Sequence, residues 1–134
     1  MKLNVLVDTS SWIEFFNNFN SNSAGIIEKL LRNGRVVTGG IILTELLQGA
    51  KVKEEFDSIL ENMVALPMLK TTTPTWIEAG RISFVLRRKG ITIPTTDLII
   101  ASLAVENKCH ILTLDPHFKK IPGITLYKAA DSKT

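Results

Sequence analysis

Short, uninterrupted apolar runs that alternate with helical segments constrain the fold of this chain more than any other feature. The first run, at residues 3–7, is apolar except for Asn4, as expected for a short strand that is buried on both faces of a sheet. RVVTG and CHILTL are similar runs, and segments with helical character separate them. This alternation predicts an α/β domain whose mostly parallel central sheet is flanked by helices.

The helical segments are recognised by their apolar periodicity and by the residues that begin and end them. Helices are expected at residues 10–19, from a capping Ser23 to Gly34, in GIILTELLQGA, in KVKEEFDSILENM, from Pro74 to Gly90, and in TTDLIIASLAVENK. Further strands are expected in VALPML and ITLYKA. No repeat, low-complexity block or linker divides the 134 residues, so we interpret 1–134 as one domain.

The composition excludes several classes of protein. With 45% hydrophobic residues the chain can bury a core, and its formal charge of +3 favours anionic partners only weakly. Cys109 is the single cysteine, which excludes an internal disulfide and a cysteine-based zinc site. The first apolar run is too short for a signal peptide, and no run approaches the roughly 18 residues of a membrane helix. We therefore expect a cytoplasmic protein with no membrane partner.

Four acidic residues stand at the ends of apolar strands or within apolar helices. Asp8 follows the first strand and Asp115 follows CHILTL, so their carboxylates meet if these parallel strands are neighbours. Asp97 lies in the first turn of an apolar helix, and Glu45 lies in IILTELL. Carboxylates that share a site repel one another, and such a cluster usually holds a cation. Oxygen ligands without histidine or cysteine among them select Mg²⁺ or Mn²⁺.

Each acid also has a purely structural interpretation. Asp8 suits the N-cap of the helix that follows it, and Asp115 with Pro116 suits a cap followed by a first helical residue. A negative charge at Asp97 stabilises the N-terminal end of its helix through the macrodipole. In the same interpretation, Glu45 lies at the border between the buried and the exposed face of its helix. The residues alone leave both interpretations open.

Four segments resemble, in order and across nearly the whole chain, the motifs of PIN-domain ribonucleases, and in particular of VapC-type toxins from toxin–antitoxin pairs. These segments are VLVDTSSWIEFF, ILTELLQGA, TTDLIIASLA and ILTLDPHF. The acidic positions of the family fall on Asp8, Glu45, Asp97 and Asp115, and its T-x-D-x-x-F element falls on Thr113, Asp115 and Phe118. The resemblance implies a single PIN-like domain that hydrolyses phosphodiester bonds in RNA with Mg²⁺ or Mn²⁺.

The resemblance also implies roles for individual side chains. Asp8, Asp97 and Asp115 are expected to bind the metal ion directly or through water. Glu45 is expected to act as a further ligand or to orient the attacking water. Supporting roles, in which a hydroxyl binds water or phosphate, are expected for two further residues, Thr9 and Thr113.

Basic and aromatic side chains are candidates for binding partners. Lys119 and Lys120 follow the fourth acid, and Arg87 and Arg88 end the long helix, where they also suit the helix dipole; both pairs are candidate RNA contacts. Four aromatic residues follow the i, i+3, i+4, i+7 stripe of a helix: Trp12, Phe15, Phe16 and Phe19. Core packing explains such a stripe, but the resemblance implies a homodimer and a small antitoxin whose peptide covers a hydrophobic groove beside the acids.

Two other functions fit parts of the sequence. A catalytically silent PIN-like protein-interaction module shares the expected fold, but gives no reason to keep four mutually repelling acids. An aspartyl-phosphate phosphatase also has an aspartate after its first strand, but usually has a second aspartate where this chain has Ser10. The two histidines, His110 and His117, are expected in surface or core roles rather than in catalysis.

Overall fold

This computed structural model describes residues 3–129, which form four strands and six α-helices, with two helices between successive strands. In chain order they are β1 (Val5–Val7), α1 (Thr9–Asn17), α2 (Asn22–Arg32), β2 (Val36–Gly39), α3 (Gly40–Gln48), α4 (Lys53–Val64), β3 (Met68–Leu69), α5 (Thr73–Arg88), α6 (Thr95–Glu106) and β4 (His110–Leu112). A 3-10 helix at Pro116–Lys120 follows β4. No helix within these residues is both long enough and apolar enough to cross a membrane.

The strands form one sheet in the order β3-β2-β1-β4, and every neighbouring pair is parallel. Leu6 of the central strand β1 lies opposite Val37 of β2 and Ile111 of β4. All of β1 is fully buried, which explains why its sequence is continuously apolar and does not alternate. The predicted α/β fold with a parallel sheet is confirmed, and the C-terminal ends of β1 and β4 are neighbours.

Helix α6 is the most deeply buried helix of the described chain, and it packs against α5, α3 and β4. Residues 97–104 are all buried, so the helix is apolar on every side instead of amphipathic. Ser102 is compatible with this environment because its hydroxyl donates a hydrogen bond to the carbonyl oxygen of Leu98. Asp97 is the one charged residue in the buried stretch, and its environment therefore needs a separate explanation.

Two helix boundaries differ from the expected ones. Ser21, and not Ser23, caps α2, because its hydroxyl oxygen accepts a 3.0 Å hydrogen bond from the backbone N–H of Ala24. Helix α1 ends at Asn17, which places Phe19 in the connection that follows the helix. The aromatic stripe that the sequence predicts is therefore only partly helical.

The expected strands near residues 64–69 and 124–129 are much shorter than predicted. The first is reduced to β3, where Pro67, which has no N–H, contributes only its carbonyl to Thr38. ITLYKA does not form a strand, since it makes a single parallel bridge between Leu126 and Ile111. The neighbour of this last segment, β4, has only three residues, so it offers little backbone for further pairing.

Candidate active site

The loops that follow β1 and β4 are joined through the carboxylate of Asp8. Thr113 Oγ1 and Ser10 Oγ each donate a 2.8 Å hydrogen bond to Asp8 Oδ2. In turn, the backbone N–H of Asp115 donates to Thr113 Oγ1 at 2.9 Å, and that of Leu114 donates to Ser10 Oγ at 3.0 Å. Each hydroxyl therefore bridges Asp8 and the backbone that carries Asp115, which holds the two strand ends in a defined relative position.

This network differs in part from the expected supporting roles. Thr113 binds a carboxylate and a backbone N–H, and its predicted contact with water or phosphate stays a prediction. Ser10 has an equivalent role that was not predicted from the sequence. Asp8 also caps α1 through a long 3.4 Å hydrogen bond from the N–H of Ser10, so the capping interpretation is compatible with the site. Within the described residues, no hydrogen bond reaches Asp8 Oδ1.

Asp97 is a buried acid that lies close to two other carboxylates. Its residue is 7% exposed, and its Oδ2 has no hydrogen-bond partner within residues 3–129. Burial, the negative charges of Asp115 and Asp8, and a hydrogen bond shared with Asp115 raise the pKa of Asp97 to about 7. The nearby His117 lowers this pKa, but by less. The repulsion between carboxylates that the sequence predicts therefore acts on Asp97.

His117 belongs to this cluster, although the sequence predicted only a surface or core role for it. Its Nδ1 lies 3.0 Å from Asp115 Oδ1 and 3.7 Å from Asp97 Oδ2. One ligand atom from each of these three residues lies within 4.8 Å of the others. Asp115 Oδ1 also caps the 3-10 helix by accepting a 2.9 Å hydrogen bond from the N–H of His117. The sequence Asp-Pro-His could have indicated this position, because a capping aspartate at 115 places residue 117 beside the carboxylate of Asp115.

Glu45 lies near this cluster but is not part of the group of three. It is half-buried on α3, and its Oε1 accepts a 2.7 Å hydrogen bond from Thr9 Oγ1. Since Thr9 directly follows Asp8, this bond ties Glu45 to the end of β1. The carboxylate also lines a pocket of about 280 Å³ between α1, α3 and α4, together with Phe16 and Ile13.

The two predicted basic pairs lie in different surroundings. Lys119 and Lys120 are exposed on the 3-10 helix that carries His117, so they lie beside the acidic cluster in the chain. Arg87 and Arg88 are exposed at the end of α5. The guanidinium of Arg88 lies 3.9 Å from the centre of the ring of Phe84 on its own helix. Proximity in the chain therefore favours the lysines as contacts to a ligand bound at the acids.

The aromatic stripe divides between the core and the surface. Trp12 is 2% exposed and packs against Phe15 and Phe16 with ring centroids 5.5 and 5.8 Å apart. Its side chain therefore lies in the core, whereas the sequence predicted it to contact an antitoxin. Phe15 and Phe16 are half-buried, while Phe19 is 60% exposed and contacts Phe15. Any partner surface on this stripe therefore consists of Phe15, Phe16 and Phe19.

The residues of the cluster fit a divalent cation. Asp97 Oδ2 is a buried oxygen without a hydrogen-bond partner among residues 3–129, and such an atom destabilises the fold unless another group satisfies it. Asp115 and Asp8 supply further negative charge around it, as the raised pKa of Asp97 shows. A cation near these carboxylates would stabilise their ionised forms, and its charge would replace the missing partner of Asp97.

Comparisons with known proteins give consistent results. The sequence profile of the PIN domain matches residues 5–124. A VapC ribonuclease of Mycobacterium bovis is 32% identical over 131 residues, which cover 94% of this chain and 97% of the relative. The structure resembles a chain of VapBC2 from Rickettsia felis bound to a promoter DNA fragment, with a TM-score of 0.80, 25% identity, and coverage of 93% of this chain and 98% of that one. It also resembles a chain of DNA-bound VapBC from Salmonella typhimurium, with a TM-score of 0.82, 27% identity, and coverage of 94% and 98%.

Proposed function

The chain belongs to the VapC group of the PIN-domain family, and we propose on that basis that it is a Mg²⁺- or Mn²⁺-dependent endoribonuclease, the toxin of a type II toxin–antitoxin pair. The observation that carries the proposal is the buried Oδ2 of Asp97, which has no hydrogen-bond partner among residues 3–129 and lies beside Asp115 and His117. RNA is the proposed substrate because the curated relatives are ribonucleases. The protein is proposed to act in the cytoplasm, where RNA is available to it.

In this proposal Asp97, Asp115 and Asp8 hold the divalent ion. A bound ion of this kind neutralises charge on a scissile phosphate and lowers the pKa of a water molecule. Asp8 presents its Oδ1, because its hydrogen bonds from Ser10 and Thr113 all go to Oδ2. These two hydroxyls position Asp8 and do not react themselves.

Glu45 is the proposed group that orients the attacking water. Its carboxylate lies outside the three-residue cluster, yet Thr9 ties it to the end of β1. A carboxylate held in this way can accept a hydrogen bond from water while its own position stays fixed. Thr9 is therefore proposed as a positioning residue for Glu45.

RNA is proposed to approach the acids along the basic residues. Lys119 and Lys120 are the nearer candidates, because they lie on the short 3-10 helix that follows Asp115. Arg87 and Arg88 are candidates for more distant phosphates, since both are exposed at the end of α5, which packs against the helix that carries Asp97. Contacts of this kind raise affinity for any RNA sequence and weaken with salt.

We also propose a small antitoxin as a partner, because solved structures that this chain resembles are VapBC complexes. The pocket between α1, α3 and α4 combines the apolar Ile13 and Phe16 with the acidic Glu45 and Glu55. An antitoxin segment with apolar anchors and one Arg or Lys matches this lining. Such a cation would form charge-assisted hydrogen bonds with Glu45 and block the water-orienting site.

A homodimer is proposed through the outer face of α5. This helix exposes large apolar side chains that a protein surface does not usually cluster, namely Trp76, Ile77, Phe84 and Val85. A symmetric contact between two copies would remove them from water. The patch and the pocket proposed for the antitoxin lie on different helices and share no residue.

Metal dependence tests the central claim. Purified protein is incubated with RNA in EDTA, and Mg²⁺ or Mn²⁺ is then restored in excess. Cleavage is expected only after a metal ion is added, and only in chains that retain Asp97. The variant Asp97→Asn is compared with Glu61→Gln, which removes an exposed acid of α4. Equal cleavage in EDTA and in metal would reject the mechanism, and a toxic Asp97→Asn variant would reject the assigned site.

The alternative, a catalytically silent interaction module, is not favoured. A module without catalytic demand gains nothing from a carboxylate whose pKa is raised by burial and by the charges of two neighbouring acids. The four acids are all present, which agrees with a nuclease.

A further inference from the structure

We infer that His117 is a direct nitrogen ligand of the cation held by Asp97 and Asp115, and that it biases the site toward a transition-metal ion over Mg²⁺. The inference rests on the proposed metal-dependent function and extends it by one ligand that the acidic motifs do not include. It replaces the all-oxygen site expected from the sequence with a mixed nitrogen and oxygen site.

The distances are those of ligands around one ion. Nδ1 of His117 lies 3.0 Å from Asp115 Oδ1 and 3.7 Å from Asp97 Oδ2, and the three ligand atoms all lie within 4.8 Å of one another. Adjacent ligands of an octahedral ion with bonds of about 2.1 Å stand about 3.0 Å apart. A single ion can therefore contact all three side chains after small adjustments.

The hydrogen bonding of the same atoms favours a ligand over a simple ion pair. Nδ1 of His117 is buried and makes no hydrogen bond within the described residues, although Asp115 Oδ1 is only 3.0 Å away. At that distance the missing bond reflects the direction of the ring or the nitrogen that carries its proton, and not the separation of the two atoms. Asp97 Oδ2 is also buried and has no hydrogen-bond partner among the described residues, and it belongs to a residue that is 7% exposed. One cation would satisfy both atoms.

The backbone holds His117 in this position before any ligand binds. The N–H of His117 donates to Asp115 Oδ1, and Pro116 occupies the first position of the 3-10 helix. Phe118, which comes next in the chain, is completely buried and anchors the turn in the core. The backbone at His117 is therefore held by a cap on one side and by a core residue on the other.

The identity of the donor atom has a chemical consequence. Mg²⁺ prefers oxygen ligands and retains water, whereas an imidazole nitrogen is a usual ligand of transition metals. A site that combines two carboxylates with one imidazole therefore gains affinity for transition-metal ions over Mg²⁺. We use Mn²⁺ as the probe because it accepts mixed ligands and is paramagnetic.

Pulsed electron paramagnetic resonance of the Mn²⁺-loaded full chain tests the nitrogen bond directly. Chains with natural and ¹⁵N-labelled histidine are compared. We expect a nitrogen coupling that changes with the label, disappears in His117→Gln and persists in His110→Gln. His110 is a suitable control because it begins β4, opposite Val5 at the other end of the strand.

Calorimetric titration with Mn²⁺ and with Mg²⁺ gives the second readout. His117→Gln is expected to weaken Mn²⁺ binding by about 10-fold or more and Mg²⁺ binding by less than about 3-fold, with an unchanged circular dichroism spectrum. Bound Mn²⁺ without a histidine coupling in the wild-type chain would overturn this inference and leave the carboxylate site intact. If the wild-type chain binds no Mn²⁺, both the inference and the proposed metal site fail. RNA cleavage is measured separately, so loss of the proposed nuclease function is distinguishable from either result.

Discussion

Thr113 donates a 2.8 Å hydrogen bond from its hydroxyl to the carboxylate of Asp8, a residue 105 positions away in the sequence. The bond connects the ends of two parallel strands that the sheet places side by side. The same hydroxyl oxygen accepts a hydrogen bond from the N–H of Asp115. One side chain thus sets the relative position of two of the predicted catalytic acids.

Thr113→Val removes this hydroxyl while keeping the shape of the side chain. Cleavage is expected to fall by about 10- to 100-fold, because residues that orient metal ligands have effects of this size. The free energy of unfolding is expected to fall by about 1–3 kcal/mol, since the N–H of Asp115 loses its acceptor. RNA cleavage rates and urea titrations measure the two effects. Thr113→Ser keeps the hydroxyl and should recover most of the activity, and failure to do so would point to packing of the methyl group.

Asp8→Asn should abolish cleavage and toxicity without unfolding the chain. The amide oxygen can still accept hydrogen bonds from Ser10 and Thr113, while one negative charge beside Asp97 is removed. We expect an equal or slightly higher melting temperature in metal-free buffer. A clear decrease, of the order of the about 1 kcal/mol typical of a lost cap, would instead indicate that Asp8 serves α1 more than the cluster.

The metal-free chain should lose stability as the pH rises from about 4 to about 7. The pKa of Asp97 is about 7 in the folded chain, whereas its ordinary value is 3.8. The folded state therefore binds the proton more tightly than the unfolded state does. The contribution of this proton to the free energy of unfolding is fully present below about pH 4 and is lost as the pH rises through about 7. Thermal denaturation of wild-type and Asp97→Asn chains in EDTA measures the difference. Parallel pH profiles of the two chains would show that Asp97 does not titrate in this range.

Glu45→Gln and Asp97→Asn should separate cation binding from cleavage. Glu45 lies outside the cluster of Asp97, Asp115 and His117, so its variant is expected to bind Mn²⁺ within about 3-fold of wild type and yet to lose cleavage. Asp97→Asn should lose both properties. Calorimetry and an RNA cleavage assay on the same preparations check this expectation. A large loss of Mn²⁺ affinity in Glu45→Gln would make Glu45 a ligand.

Phe19→Ala and Trp12→Ala should act on different properties. Phe19 is 60% exposed, so its removal is expected to weaken binding of the co-expressed antitoxin while changing stability by less than about 0.5 kcal/mol. Trp12 is buried, and its removal should cost about 3–5 kcal/mol of folding stability.

Co-purification with the antitoxin and thermal denaturation distinguish the two effects. Phe56→Ala on α4 is the matched control, because it removes an exposed phenylalanine outside the stripe. If Phe19→Ala and Phe56→Ala bind the antitoxin equally well, the surface part of the aromatic stripe has no role in recognition.

The sequence by itself determined the fold class and the positions of the acids along the chain. Burial on both faces leaves a continuous apolar run at β1, and such a run is visible without any tertiary information. The C-terminal ends of parallel strands share one edge of a sheet, so Asp8 and Asp115 were expected near each other. These inferences depend on local patterns that burial imposes on the chain.

Tertiary structure alone decided what each side chain in the site contacts. The place of His117 depends on how the 3-10 turn sits over α6, and the separate place of Glu45 depends on its bond to Thr9, 36 residues earlier. Trp12 is buried within α1, whereas Phe19 follows the end of α1 at Asn17 and is exposed, although the sequence predicted both on one helical stripe. Contacts between distant segments arise from packing in three dimensions, and the local periodicity of a sequence carries no record of them.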